Sequence, residues 1–222
     1  MSAGMRVVGL VRMGVGNLLS IKTAFARIGL ACRDLETPAE IGTVDALILP
    51  GVGAFHVAME HLQANGFVAP LQQLAAAGQK PILGICLGMQ LLADESEEHG
   101  QHRGLGLIAS RVTRLREDEI LGKVPNVGWC ETTFTRKSLF RPDGTGRSTF
   151  YYVHSYHLVA SNEADVAGTT LLGKRDVVAA VQRGRVAGIQ FHPEKSQDNG
   201  LDLLANWAVG CGLIDGPRLE RA

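Results

Sequence analysis

A single cysteine stands between two glycines in "GICLG", residues 84–88, where an apolar run ends and a helical pattern begins. Glycine two places before and two places after a nucleophilic side chain is the spacing of a nucleophile elbow. A residue displayed at the apex of a strand-to-helix turn has a strained backbone, and neighbouring strands crowd it. Gly84 and Gly88 would then be required, because a Cβ at either place would clash. The helix start favours the thiolate of Cys86, and the Leu87 N–H points where an oxyanion would form. By itself the pentapeptide reads equally well as a small buried hydrophobe beside two glycines.

A second segment supplies a base. In "GIQFHPEKS", residues 188–196, an apolar strand runs into His192, and Glu194 follows two places later. In extended chain those two side chains share a side, so Glu194 can orient one imidazole nitrogen while the other faces a nucleophile. Pro193 is expected to stiffen this link and to keep it from becoming helical. Alone, a histidine near a glutamate is commonly an ordinary surface pair. With the elbow it completes a Cys–His–Glu triad.

The third segment is "LPGVGAF", residues 49–55. A strand that ends in Pro-Gly-x-Gly leaves N–H groups free at the carboxyl edge of a sheet, where the active sites of open parallel sheets lie. Val52 or Gly53 could supply a second oxyanion donor; without Cys86 the segment is a plain glycine turn.

The elements that must position these residues follow from the apolar pattern. "MRVVGLV" (5–11), "DALILP" (45–50) and "PILGI" (81–85) read as buried strands. "NLLSIKTAFARIG" places Leu18, Ile21, Phe25 and Ile28 at helical spacing and stops at Gly29, and two more helices are expected near 55–64 and 67–78. Apolar strands alternating with helices imply an α/β fold with an open, mostly parallel central sheet covered by helices on both faces. Beyond about residue 105, "SRVTRLRE", "FYYVHSYHLVA", "DVVAAVQRG" and "RVAGIQFH" are strand-like, giving a strand-rich second half before a last helix near 199–209. No repeat or linker interrupts residues 1–222, which suits a single domain.

Composition narrows the function classes. Twenty-two basic residues balance twenty-two acidic ones, which gives no reason to expect nucleic acid or an anionic membrane as partner. Cys32, Cys86, Cys130 and Cys211 lie far apart with no zinc or disulfide spacing, so free thiols in a reducing, cytoplasmic setting are expected, with no metal or cofactor. No apolar run approaches the roughly 20 residues a membrane span needs.

With these three segments in hand, the chain resembles the class I glutamine amidotransferases, and within them the glutaminase-subunit branch of imidazole glycerol phosphate synthase. The likeness extends to "GVGNLLSI", "SEE" at 96–98, "VGW" at 127–129, "YYVHSYH" at 151–157 and Gly88-Met89-Gln90 after the cysteine. It implies that Cys86 attacks the side-chain amide of L-glutamine, His192 shuttles protons and Glu194 fixes the ring. It further implies an oxyanion hole from Val52, Gly53 and Leu87. Glutamine would be bound by Gly51, Gln90 and Glu98 and by backbone around His154, Ser155 and Tyr156. Ammonia would pass to a (β/α)8-barrel cyclase subunit in a heterodimer, with Trp129 and Lys195 at the interface or ammonia passage. The alternative for Trp129 is core packing. The chain departs from the family at Arg12-Met13-Gly14, where Asp-Tyr-Gly is common, and at Asn126-Val127, where His-Met is common. These departures leave open a paralogous glutaminase serving an aminating synthase of surface-polysaccharide sugars. A stand-alone γ-glutamyl or peptide hydrolase, or a partner-binding domain without chemistry, are the remaining readings.

Overall fold

A computed structural model describes residues 6–14 and 18–216 of the chain. Of "GVGNLLSI", residues 15–17 lie outside the described ones, as does Met5 of the first expected strand. In order, the elements are β1 (Val7–Val11), α1 (Leu18–Arg27), β2 (Ala31–Leu35), β3 (Ala46–Leu49), α2 (Phe55–Ala64), α3 (Val68–Ala77), β4 (Ile82–Ile85) and α4 (Leu87–Leu91). Then come β5 (Glu95–Ser96), β6 (His102–Arg103), β7 (Ser110–Arg114), α5 (Glu117–Ile120), β8 (Asn126–Phe134), β9 (Gly146–His154), β10 (Tyr156–Ala160), β11 (Val166–Leu172), β12 (Arg175–Arg183), β13 (Val186–Ile189) and α6 (Gln197–Gly210).

The large sheet has the order β2-β1-β3-β4-β13-β12-β11-β8-β9. Its first five strands are mutually parallel, and from β13 onward every pairing is antiparallel. The parallel strands read as unbroken apolar runs because both of their faces are covered. Alternate residues go to opposite cores. Val8, Leu10, Ile48, Leu83, Ile85 and Ile189 pack with α1 and α6, where Phe25 meets Trp207 edge-on at 6.1 Å. Val11, Leu47, Leu49, Ile82 and Val186 pack on the other side with α2, α3 and α4.

Several elements differ from the sequence reading. "FYYVHSYHLVA" is broken at Ser155 and feeds two sheets: β9 closes the edge of the large one, and β10 joins the small sheet β10-β7-β5-β6. β2, β8 and β11 were not expected as strands. Pro193–Lys195 forms a turn of 3-10 helix with Pro193 at its first position, correcting the expectation that the proline prevents helical geometry there. A proline's fixed φ suits the first helical residue, whose N–H would lack an intrahelical partner anyway.

Candidate active site

β3, β4 and β13 are adjacent, with β4 paired in parallel to both of its neighbours. Their carboxyl ends therefore point the same way, and each delivers one of the three sequence segments to the same sheet edge.

Cys86 is held at φ 53°, ψ −109°, a conformation that costs a non-glycine residue about 1–3 kcal/mol unless its surroundings enforce it. They do. Its N–H donates to the Ile189 carbonyl at 2.8 Å, and its carbonyl accepts from Met89 and Gln90 as α4 begins. The glycine requirement is steric: a Cβ on Gly84 would lie 2.4 Å from the Gly88 oxygen, and one on Gly88 would lie 1.8 Å from the Leu49 oxygen. Strand β3 thus packs directly against the elbow. Among the described residues, the backbone N–H groups of Leu87, Val52 and Gly53 donate to no protein acceptor.

His192 is anchored through its backbone. Its N–H donates to the Tyr151 carbonyl at 2.9 Å, and its carbonyl accepts from the Ser196 hydroxyl at 2.6 Å. Its Nδ1 lies 2.8 Å from Glu194 Oε1. A carboxylate can only accept, so Nδ1 carries the hydrogen and Nε2 is the nitrogen left facing away from Glu194. The contact forms for a different reason from the one expected. His192 is extended, but Glu194 sits in the tight turn, which folds its carboxylate back onto the ring. Burial pulls the imidazole pKa down, but Cys86 and Glu194 outweigh burial and raise it to about 10. The ring therefore favours its protonated form when the sulfur is thiolate. Nε2 has no aligned hydrogen-bond partner, and the sulfur instead lies 3.9 Å from the Val153 carbonyl. Catalytic contacts are commonly loose before substrate arrives.

A cavity of about 340 Å³ opens on the thiol. It is lined by Cys86 and Leu87, by Val52 and Gly53, by Gln90 and Glu98, and by His154, Ser155 and Tyr156. Pro125 and Val153, which sequence reasoning did not single out, complete the wall. The volume suits a small metabolite. A second cavity, about 400 Å³, lies between β10 and β12 around His157, Glu163 and Arg175. It has no cysteine in its lining, so size does not choose the site; the thiol does.

Gly51 packs behind the wall against Leu87, where an added Cβ would come within 2.8 Å. Gln90 Nε2 donates to the Tyr156 carbonyl at 2.8 Å and to Gln190 Oε1 at 3.0 Å. Glu98 Oε2 accepts from Phe55 N–H at 2.7 Å, capping α2 from across the cavity. Burial depresses the His154 pKa to about 4. Its Nδ1–H donates to the Tyr156 carbonyl at 2.9 Å, so neutral Nε2 accepts from the Asn126 amide at 3.2 Å. The departure at Asn126 thus reaches the cavity wall, while Arg12 lies by Asp34 and Glu36 at the β1–β2 edge.

Trp129 is 49% exposed, so it is not core packing. It stands across from Tyr151 in the β8–β9 pair with ring centroids 6.0 Å apart, and Lys195 Nζ lies 5.8 Å over the same tyrosine ring. The two expected interface residues share one surface beside His192 but do not line the cavity. Sequence reasoning also missed Gln190, fully buried next to the sulfur. The available signal was one amide in an otherwise apolar strand end. Among the described residues no cluster of three or more His, Cys, Asp or Glu is arranged to hold a metal, and no helix is long and apolar enough to cross a membrane.

The chain's likeness to known proteins shows its family. Residues 15–211 match the model of the family described as glutamine amidotransferase class-I. The imidazole glycerol phosphate synthase subunit HisH of Moorella thermoacetica is 46% identical over 206 residues, covering 91% of this chain and 94% of that protein. The subunit of the same name from Sulfurimonas denitrificans is 44% identical over 205 residues, covering 90% and 97%. Among solved structures, PurLQS from Thermotoga maritima superposes with a TM-score of 0.72 at 15% identity, covering 91% of this chain and 97% of that one. A structure described as a glutamine amidotransferase gives 0.69 at 21%, covering 92% and 98%. These two likenesses concern the fold.

Proposed function

The chain belongs to the class I glutamine amidotransferases, and from that premise we propose that it is the glutaminase subunit of an imidazole glycerol phosphate synthase. It hydrolyses L-glutamine to glutamate and ammonia, which a partner cyclase uses to make imidazole glycerol phosphate and AICAR in histidine biosynthesis. One observation carries the chemistry: a glutamate-oriented imidazole beside a cysteine that is held at positive φ between two obligatory glycines.

Cys86 Sγ attacks the amide carbon of glutamine, and the oxygen becomes an oxyanion received by Leu87 N–H and by Val52 or Gly53 N–H. Protonated His192 gives its Nε2 proton to the departing nitrogen, so ammonia leaves and a thioester remains. Water then enters, His192 takes its proton, and the second tetrahedral adduct collapses to glutamate and thiolate. Gln90, Glu98 and the backbone of His154, Ser155 and Tyr156, which line the cavity, hold the amino-acid end, and Gly51 backs that wall against Leu87. With both amide hydrogens of Gln90 already donated, its oxygen remains to accept from the substrate's ammonium group.

Ammonia would be protonated in water, so an acceptor must be close. The names of the relatives describe a subunit of a synthase. We take the partner to be a (β/α)8-barrel cyclase, the assembly a heterodimer, the setting cytoplasmic, and residues 1–222 one glutaminase domain. The exposure of Trp129 and Lys195 on one surface beside the triad supports their role in partner docking. The test is co-purification with candidate barrel subunits, followed by glutaminase assay with and without the partner's substrate. Activity that rises with the histidine-pathway cyclase and its ligand supports the proposal. Activity that rises only with an aminating synthase of polysaccharide sugars overturns the pathway, and partner-independent cleavage of γ-glutamyl peptides overturns the subunit role.

A further inference from the structure

A buried amide behind the nucleophile has no part in the steps above. Gln190 is fully buried, and it follows β13 directly. The parallel register sets Gly188 opposite Gly84 and Ile189 opposite Ile85, so Gln190 stands abreast of Cys86. Its Nε2 lies 3.7 Å from the Cys86 sulfur, and its Oε1 lies 3.0 Å from Gln90 Nε2.

The orientation of this amide follows from its partners. The Tyr156 carbonyl can only accept, so the Gln90 atom 2.8 Å from it is the nitrogen. That nitrogen can only donate, so the Gln190 atom facing it is the oxygen. The Gln190 nitrogen is left for the sulfur. A continuous chain of donors therefore runs from Gln90, on the cavity wall, through Gln190 to the reacting atom.

We infer that Gln190 is a positioning residue whose amide N–H stabilises the Cys86 thiolate and fixes its direction from the side away from substrate. This deepens the glutaminase reading and rests on it for the identity of the nucleophile. A donor favours a charged sulfur over a neutral one, because hydrogen bonds to ionised acceptors are about twice as strong. The thiol's other near neighbour, the Val153 carbonyl, can only accept and so favours the neutral thiol. Gln190 opposes it. It also ties the sulfur to Gln90, so a ligand pulling on the Gln90 amide would be felt at the nucleophile. The titratable groups around the sulfur are His192 beyond β13 with Glu194 behind it, His154 at the end of β9, and Glu98 across the cavity.

The test is the pH dependence of alkylation of Cys86 by iodoacetamide in the full chain, with Cys86→Ala identifying labelling of Cys32, Cys130 and Cys211. Gln190→Met keeps the volume and removes both hydrogen bonds. Gln190→Glu keeps an acceptor for Gln90 and places a carboxylate oxygen against the sulfur, so it reports even if the methionine variant fails to fold. The pH of half-maximal labelling should rise by about one unit in Gln190→Met and further in Gln190→Glu. Profiles that coincide with the parent, or that move to lower pH, would reduce Gln190 to a packing residue. Alkylation needs no glutamine, so a chain that failed to hydrolyse glutamine would sink the glutaminase reading while leaving this test to stand or fall separately.

Discussion

His192 Nδ1 and Glu194 Oε1 meet at 2.8 Å across a single proline, with side chains only 3% and 6% exposed. So short a loop around one hydrogen bond leaves the imidazole little freedom. The carboxylate therefore fixes both the ring's orientation and its tautomer.

Replacing that carboxylate tests the assignment. In Glu194→Gln the side-chain amide can donate to Nδ1, which moves the ring hydrogen to Nε2 and leaves no acceptor for the water proton. Glutaminase kcat should fall by about 10²-fold or more while KM for glutamine changes little. Steady-state kinetics decide it. A variant that keeps kcat and loses only affinity would mean that Glu194 binds substrate and does not orient His192.

The elbow makes a stability prediction. Gly88→Ala places a Cβ 1.8 Å from the Leu49 carbonyl oxygen, a backbone atom that cannot swing aside as the end of a flexible side chain can. The variant should lose about 3 kcal/mol or more, or fail to fold. Gly42→Ala is the control, because nothing lies within 4 Å of its Cβ and its φ is not positive. It should stay within about 0.5 kcal/mol of the parent. Urea melts of the two proteins make the comparison, and equal midpoints would contradict the close approach of β3 to the elbow.

The sequence disclosed those parts of the fold that are specified locally. β1, β3, β4 and β13 are runs of apolar residues because both faces of each are covered, and such runs stand out without knowledge of partners. "ACRDL" at β2 and "NVGWCETTF" at β8 mix polar and apolar residues and become strands only because a neighbour pairs with them. The break at Ser155 is likewise invisible locally, since Tyr156 to Ala160 leave β9 to pair with β7. That break brings Ser155 and Tyr156 to the cavity wall. The elbow was legible because the Gly84-Cys86-Gly88 spacing follows from local sterics, and the His192–Glu194 pair because its two residues are near neighbours in sequence. Gln190 was not, because its function depends on which strand lies alongside β4.

His154 gives the protein a pH-dependent stability. Its pKa is about 4 in the fold, pushed down mainly by burial, against about 6.5 in the unfolded chain. Between these values the unfolded state binds the extra proton, so this group's contribution is complete above about pH 6.5 and declines as pH falls toward 4. One such group contributes a slope of at most about 1.4 kcal/mol per pH unit. The His157 pKa is also lowered by burial and adds to the same trend. His192, whose pKa is raised to about 10 as Cys86 and Glu194 outweigh burial, has the opposite sign and acts mainly above about pH 6.5. The His154 effect is therefore read below it: urea midpoints should fall from pH 6 to pH 5, and His154→Asn should flatten that decline. An equally steep decline in the variant would assign the effect elsewhere.

The most direct measurement is glutamine turnover by Cys86→Ala, assayed in complex with the partner cyclase and its substrate. Glutamate release should vanish, while synthesis driven by added ammonia continues at the parent rate, because the substitution removes only the sulfur that opens the amide. Glutamate release persisting in that variant would contradict the assignment of Cys86 as the nucleophile.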